Sequence, residues 1–323
     1  AYLGKTTYEL RLDSVEMLTP EAAESLSQHQ GGLSLIGLKA LTPEVAESLA
    51  KYQGPLNFYW LETLTSGVAK SLATHNGYLH LSWSRLNTLT PAVAEALAKH
   101  QSSLKLDGLK TLTPEAAEAL AKHQGSLTLD GLKTLTPEVA EALAKHRGSL
   151  TLDGLSMLTP EAAEALAKHA GNLSLIHFAT LTPEVAEMLA MHKGYLHLSS
   201  DVTSLPLKVA ESLAKCRGSL TLYRLTTLTP EVAELLAQHQ GSLALDRLTT
   251  LTPEVAEALA NHRGDLSLNG LTTVTIEVAV ALRNHAGNLN LGGLKKISTA
   301  AARVLQWNRS IRFSAFAIEG EAR

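Results

Sequence analysis

Residues 112–180 read LTPEAAEALAKHQGSLTLDGLKT, LTPEVAEALAKHRGSLTLDGLSM and LTPEAAEALAKHAGNLSLIHFAT, three consecutive stretches of 23 residues. Self-similarity at so short a fixed period marks a repeat array, and it overrides the two globular domains that a length of 323 residues would otherwise suggest. Outward from Pro137, the same slot falls at Pro20, Pro43, Ser66, Pro91, Pro114, Pro160, Pro183, Leu207, Pro230, Pro253, Ile276 and Thr299, which predicts 13 helical units. Two intervals break the period. Ser66 to Pro91 is 25 residues and Pro183 to Leu207 is 24, placing a two-residue insertion near 83–85 and a one-residue insertion near 199–201.

Each unit translates into local structure. Thr136-Pro137-Glu138 combines an N-cap, a proline whose missing N–H costs nothing at the first helical position, and an acid favoured by the helix dipole. The helix runs through Val139, Ala140, Leu143 and His146, and Gly148 is the residue type expected just past a helix end, where a positive φ is needed. Leu150-Thr151-Leu152 then alternates in and out like a very short strand, and Asp153-Gly154 signals a turn back to Leu155 and Leu158. With so few residues per turn, the strands stack in parallel and the helices form an outer layer. The few aliphatic side chains of one turn cannot offset the entropy of ordering it. Neighbouring turns therefore bury each other's leucine slots, and residues 1–323 read as one solenoid domain, with 1–17 as an N-terminal edge strand and 310–323 as a C-terminal edge segment.

These units resemble the leucine-rich-repeat proteins, specifically bacterial arrays with a 23-residue unit. The resemblance rests on the Leu-x-Leu strands (Leu127/Leu129, Leu150/Leu152, Leu243/Leu245), the leucine slots that follow and the helical back, and it covers almost the whole chain. It implies an α/β fold of about 13 repeats, with a curved parallel sheet on the concave face and short helices on the convex face. It also implies a binding scaffold rather than an enzyme. One slot departs from the family unit: three residues after the second strand leucine, where the family carries a buried Asn or Cys, this chain has Leu132, Leu155, Phe178 and Leu225.

Composition narrows the partners. With 28 Lys+Arg against 31 Asp+Glu the formal charge is −3, which implies neither nucleic acid nor an anionic membrane. Hydrophobic residues make up 45% of the chain, which excludes disorder, yet no apolar run approaches the roughly 18 residues of a membrane helix, and no signal peptide or lipidation motif is visible. The single cysteine, Cys216, cannot form an internal disulfide.

Ten of the 13 histidines share one slot: His29, His75, His100, His123, His146, His169, His192, His239, His262 and His285. A metal or proton ladder is conceivable, but the slot lies on the same helical face as the core leucine and is also filled by Tyr52 and Cys216, so it reads as structural. The Glu pair of each helix, such as Glu138 and Glu141, recurs with the helices and reads as a solvated face. The recurrent Asp-Gly lacks the nonapeptide pattern of calcium-binding repeats and reads as a turn. No phosphate loop, HExxH or GxSxG motif is present, and no cofactor is expected.

What remains is variation between units. In each strand the middle residue and its two flanking neighbours face outward, and in the central units they are small and polar: Ser126, Thr128 and Asp130, then Ser149, Thr151 and Asp153. Two stretches depart. The first holds Asn57, Tyr59, Trp60, Tyr78, His80, Trp83 and Arg85 beside the two-residue insertion; the second holds Ile176, His177, Tyr195, His197, Tyr223, Arg224 and Arg247 around the one-residue insertion. Exposed aromatics and arginines on a rigid face are how interfaces supply anchors. The sequence thus predicts non-catalytic recognition of a protein or glycan through the sheet face and rim. An alternative is a structural module that stacks or docks through its ends; an enzyme is the third reading.

Overall fold

The computed structural model describes residues 8–82, 87–178, 181–200, 204–313 and 318–319. These fall into two compact units, one within 1–155 and 168–174, the other within 156–167 and 175–323. In the first, helices such as Pro43–Ala50, Pro114–Leu120 and Pro137–Ala144 alternate with short strands, and the strands Leu56–Phe58, Leu79–Leu81, Leu104–Lys105, Leu127–Thr128 and Leu150–Thr151 lie in parallel in sequence order. The second repeats the pattern, its parallel strands running Leu196–Ser200, Leu220–Leu222, Leu243–Ala244, Leu266–Ser267, Leu289–Asn290 and Ile311–Arg312. Register follows the period: Leu127 faces Leu150 as Leu243 faces Leu266. Among the described residues there are 13 helices, as the proline slot predicts, and none is long and apolar enough to cross a membrane.

A second parallel ladder, Thr273–Val274, Lys296–Ser298 and Ile318–Glu319, was not legible in the period. It forms where the slot before the helix changes from leucine, as in Leu135 and Leu251, to the β-branched Val274 and Ile297, which favour extended pairing.

Every described helix except Leu207–Ala214 opens on a Thr or Ser whose hydroxyl accepts a backbone N–H; Val139 N–H donates to Thr136 Oγ1 at 3.4 Å. Behind the caps, Val139, Ala140 and Leu143 of one turn and Leu127, Leu129, Leu132 and Leu135 of the strand side are all buried. The glycines work differently from expectation. No glycine among the described residues has a positive φ. The helix ahead of Gly148 instead ends in a right-handed turn at Lys145, whose N–H donates back to Ala142 and Leu143. Gly148 is required by proximity: a Cβ there would lie 2.2 Å from Gly125 O, and one on Gly154 would lie 1.7 Å from Asp130 O.

Two ladders of polar side chains tie successive turns. At the strand exits, Asp130 Oδ1 accepts the N–H of Asp153 at 3.1 Å, Asp246 Oδ1 that of Asn269 at 2.9 Å, and Asn269 Oδ1 that of Gly292 at 2.8 Å. These carboxylates and amides satisfy turn N–H groups that the leucine at 132 and its equivalents cannot. At the helix ends runs the histidine slot. His75 Nδ1–H donates to Ala50 O at 3.2 Å, and His146 faces the carbonyls of Ala121 and Ser149. The other residue types in the slot do the same: Tyr52 Oη donates to Gly31 O at 2.5 Å, Cys216 Sγ to His192 O at 3.8 Å, and Asn308 Nδ2 to Arg283 O and His285 O at 2.8 Å. The slot selects a donor.

In the first unit His75, His100, His123, His146 and His169 stack face to face with centroids 6.0–6.3 Å apart; His239, His262 and His285 stack likewise in the second. Nearly parallel rings at that spacing do not converge on an ion that needs nitrogens about 2.0–2.1 Å away. Burial disfavours their charged form and lowers the pKa values of His75, His100, His123, His169, His239, His262 and His285; at His100, His123, His262 and His146 a neighbouring ring adds repulsion, and His146 is pushed down to about 4.

Two predictions follow from this core. Leu143→Ala, which empties a fully buried slot, should cost about 2–5 kcal/mol, while Thr128→Ala on the sheet face should cost under about 0.5 kcal/mol; similar denaturation midpoints would overturn the inward and outward assignment. The second concerns acid. A base whose pKa is depressed in the folded chain is protonated first in the unfolded chain, so stability is full above the unfolded histidine value of about 6.5 and is lost as pH falls toward about 4. The melting temperature should therefore drop steadily between those values; a flat or rising profile would show that the helix dipole, which favours a positive histidine at a helix end, outweighs burial.

Candidate functional site

Of the 14 outward residues singled out by sequence, Trp83 and Arg85 lie outside the described residues. The first unit brings Asn57, Tyr59, Tyr78 and His80 together. Tyr59 meets His80 edge-on with centroids 5.0 Å apart, and Tyr78 approaches the same ring at 6.1 Å. The strands Leu56–Phe58 and Leu79–Leu81 are hydrogen-bonded neighbours, with half-buried Asn57 directly opposite His80. Trp60, just beyond its strand, is 52% exposed.

His80 was expected to point outward with the rest of its stretch. It is only 8% exposed, covered by the tyrosines, and its Nε2–H donates to Asp107 Oδ2 at 3.2 Å. Lys105 pairs with the same carboxylate at 3.0 Å and lies 4.0 Å from Asp130. Burial pushes Asp107 up, but the hydrogen bonds from His80 and Lys105 outweigh it and hold the carboxyl below its usual range. Asp130 moves the other way, raised by burial and by the carboxylates of Asp107 and Asp153 on the adjacent turns. His80 thus acts as a post that fixes two tyrosine rings, and the aromatic surface is left to Tyr59, Trp60 and Tyr78.

The second unit builds the same arrangement. His197 lies between Tyr195, at 6.2 Å and 69°, and Tyr223, at 5.6 Å and 73°. Tyr195 Oη and Thr221 Oγ1 share a hydrogen bond of 2.5 Å, and Arg247 lies 4.8 Å above the Tyr223 ring while donating to its hydroxyl at 3.0 Å. Arg224 is exposed beside Tyr223. Ile176 and His177 sit on the strand Leu173–Phe178, the former half-buried and the latter exposed. This strand of six residues and Leu196–Ser200 of five are longer than the two-residue strands of regular turns, and the inserted residue falls at the end of the second.

A signal for this duplication stands in the sequence. Residues 77–81 and 194–198 both read GYLHL, each directly before an insertion, and the third ring comes from the turn before in one case and the turn after in the other. In both places an imidazole edge packed against phenol rings gives aromatic side chains that are exposed yet fixed in direction. Cys216 carries no such chemistry; it is buried, and burial raises its thiol pKa. Among the described residues, no group of three or more His, Cys, Asp or Glu side chains is placed to hold a metal ion.

No protein-family model matches the chain, and no curated protein matches it. Solved structures do. A leucine-rich-repeat protein of Leptospira interrogans aligns with 96% of this chain and 91% of its own at 18% identity and a TM-score of 0.43. The Toll–Spätzle complex, described as a molecular hub in Drosophila development and innate immunity, aligns with 80% of this chain and 42% of that chain at 16% identity and a TM-score of 0.42. At these values the likeness says nothing of partner or activity, and the leucine-rich-repeat-like architecture is read from the chain's own stacked strand–helix turns.

Proposed function

We propose that the chain is a non-catalytic scaffold that holds a protein partner on its sheet face, with the Tyr–His–Tyr clusters and Trp60 as anchors. The observation that carries this reading is the buried His80 post: Tyr59 and Tyr78 are exposed but already ordered by ring contacts, so burying them in an interface costs little further side-chain entropy. Trp60 adds a large apolar face at the rim of the same patch, and Arg224 and Arg247 give the second cluster directional donors. Tyr, Trp and Arg are the residue types that dominate interface energetics.

A second reading, docking through a helix-side surface, is favoured by Trp307. This residue ends the helix Thr299–Gln306 and is 86% exposed in a slot that carries Lys145 or Lys168 in other turns. It predicts a size in solution that grows with concentration and that Trp307→Lys abolishes.

The anchor reading is tested by isolating a partner with the intact chain, then measuring its affinity for variants. Trp60→Ala and Tyr223→Ala should leave the melting temperature nearly unchanged and weaken binding by at least about 1–2 kcal/mol each. Strong destabilisation by either change would make these rings core residues and remove the basis for the proposal.

A further inference from the structure

The second unit carries a groove of about 430 Å³ on its sheet face that the sequence columns did not single out. It crosses the strands from Leu196–Ser200 to Ile311–Arg312, five strand steps or about 24 Å at the usual spacing of about 4.8 Å. Tyr195 lines one end and Arg312 the other. The hollow lies over Ala244, which occupies the mid-strand column where the flanking turns carry Thr221 and Ser267. A volume of this order is that of a small-ligand site.

The backbone cannot read a ligand here, because the strand N–H and C=O groups are paired in the parallel ladder. Recognition falls to side chains, and several have capacity left. The hydroxyls of Ser219 and Ser242 and the guanidinium of Arg312 have no hydrogen-bond partner among the described residues. Asp265 uses one oxygen to accept from Asn288, at 2.9 Å from its amide and 3.2 Å from its backbone N–H. Asn290 accepts from Gly292 N–H at 3.2 Å through its carbonyl oxygen, leaving its amide donors.

Leu220, Leu243, Leu266 and Leu289 of the lining are buried beneath the sheet, so the groove offers donors and acceptors on small side chains with one ring and no deep apolar pocket. A protein anchor needs such a pocket. A sugar does not: its hydroxyls match the mixed groups and its C–H face covers a tyrosine ring. The planar fork of Arg312 matches a carboxylate. We propose that this groove binds a short acidic oligosaccharide, with one sugar ring on Tyr195 and a carboxylate on Arg312. The groove shares Tyr195 with the second aromatic cluster but contains neither Trp60 nor Tyr223, so Trp60→Ala, which should weaken a protein partner alone, and Arg312→Ala, which should weaken the sugar alone, tell the two readings apart.

Calorimetric titration of the intact chain with trigalacturonic acid and with sialyllactose, against maltotriose and lactose as uncharged counterparts, tests it. At least one acidic sugar should bind, about tenfold or more tighter than its neutral counterpart, a difference that Arg312→Ala removes. Ala244→Phe, which fills the hollow, should abolish binding at an unchanged melting temperature; should that variant fail to fold, Tyr195→Ala should weaken binding about tenfold or more instead. Trp60→Ala should change nothing. Absence of binding by both acidic sugars, equal affinity for acidic and neutral sugars, or binding that survives Ala244→Phe in a folded variant or Tyr195→Ala would overturn the proposal.

Discussion

The last carbonyl of each short helix, such as that of Ala50, is left for the next turn to meet, and the structure depends on that contact. A helix of seven or eight residues leaves about half of its carbonyls outside the i→i−4 ladder; the tightened final turn meets some of them, as Lys145 N–H does for Ala142 and His146 N–H for Leu143, and the last remains at a buried end. The residue that closes the following helix supplies the donor: His75 for Ala50, Cys216 for His192, Asn308 for Arg283 and His285. Four residue types occupy this slot, and what they share is neither size nor charge but a hydrogen that can be directed back one turn. The rings of His100, His123 and His146 face their carbonyls without completing full hydrogen-bond geometry, so their stacking supplies part of what the polar contact does not.

That constraint divides the repeat into a fixed side and a free side. The helix end, the leucine slots and the glycines at 148 and 154 all sit against the previous turn, where an added Cβ would overlap a carbonyl oxygen. Change there propagates to neighbours. Apart from the Asp ladder at the strand exits, the outward columns of the sheet stand clear of the buried leucine slots, so they are the side most open to change. Both insertions follow strands on this side, and both GYLHL segments lie directly before them. Which side of the repeat is open to variation is thus set by which atoms the stacking leaves unused.

The fold was largely legible because stacking imposes period. Thr136, Pro137, Leu143 and Leu150 each recur with a physical reason for the residue type, and the caps and register that they predict are those observed. Gly148 was legible as a turn residue but not in its cause, since the sequence of one turn does not contain the carbonyl of Gly125 that forbids a side chain. His80 shows the same limit at the candidate site. Its outward column was right, but burial under Tyr59 and Tyr78 depends on rings from two strands leaning over it. The groove in the second unit was hidden for a different reason: Ser219, Ser242 and Asn290 are ordinary fillers of their columns, and only Ala244 in place of a polar residue marks the hollow.

Histidine is an unusual choice for a structural ladder, and its advantages carry a matching cost. The imidazole is long enough to face a carbonyl of the preceding helix and a carbonyl of its own strand entry at once, as His146 does with Ala121 and Ser149, while its flat faces stack on the rings above and below. A serine would reach one carbonyl and stack on nothing. The ladder works only while the rings are neutral, because each proton added lies about 6 Å from the next ring, where like charges in a buried row repel strongly. Repulsion of this kind makes successive protonations harder inside the stack and none harder in the unfolded chain. The same row that locks the turns together therefore couples the stability of many repeats to a single solution variable.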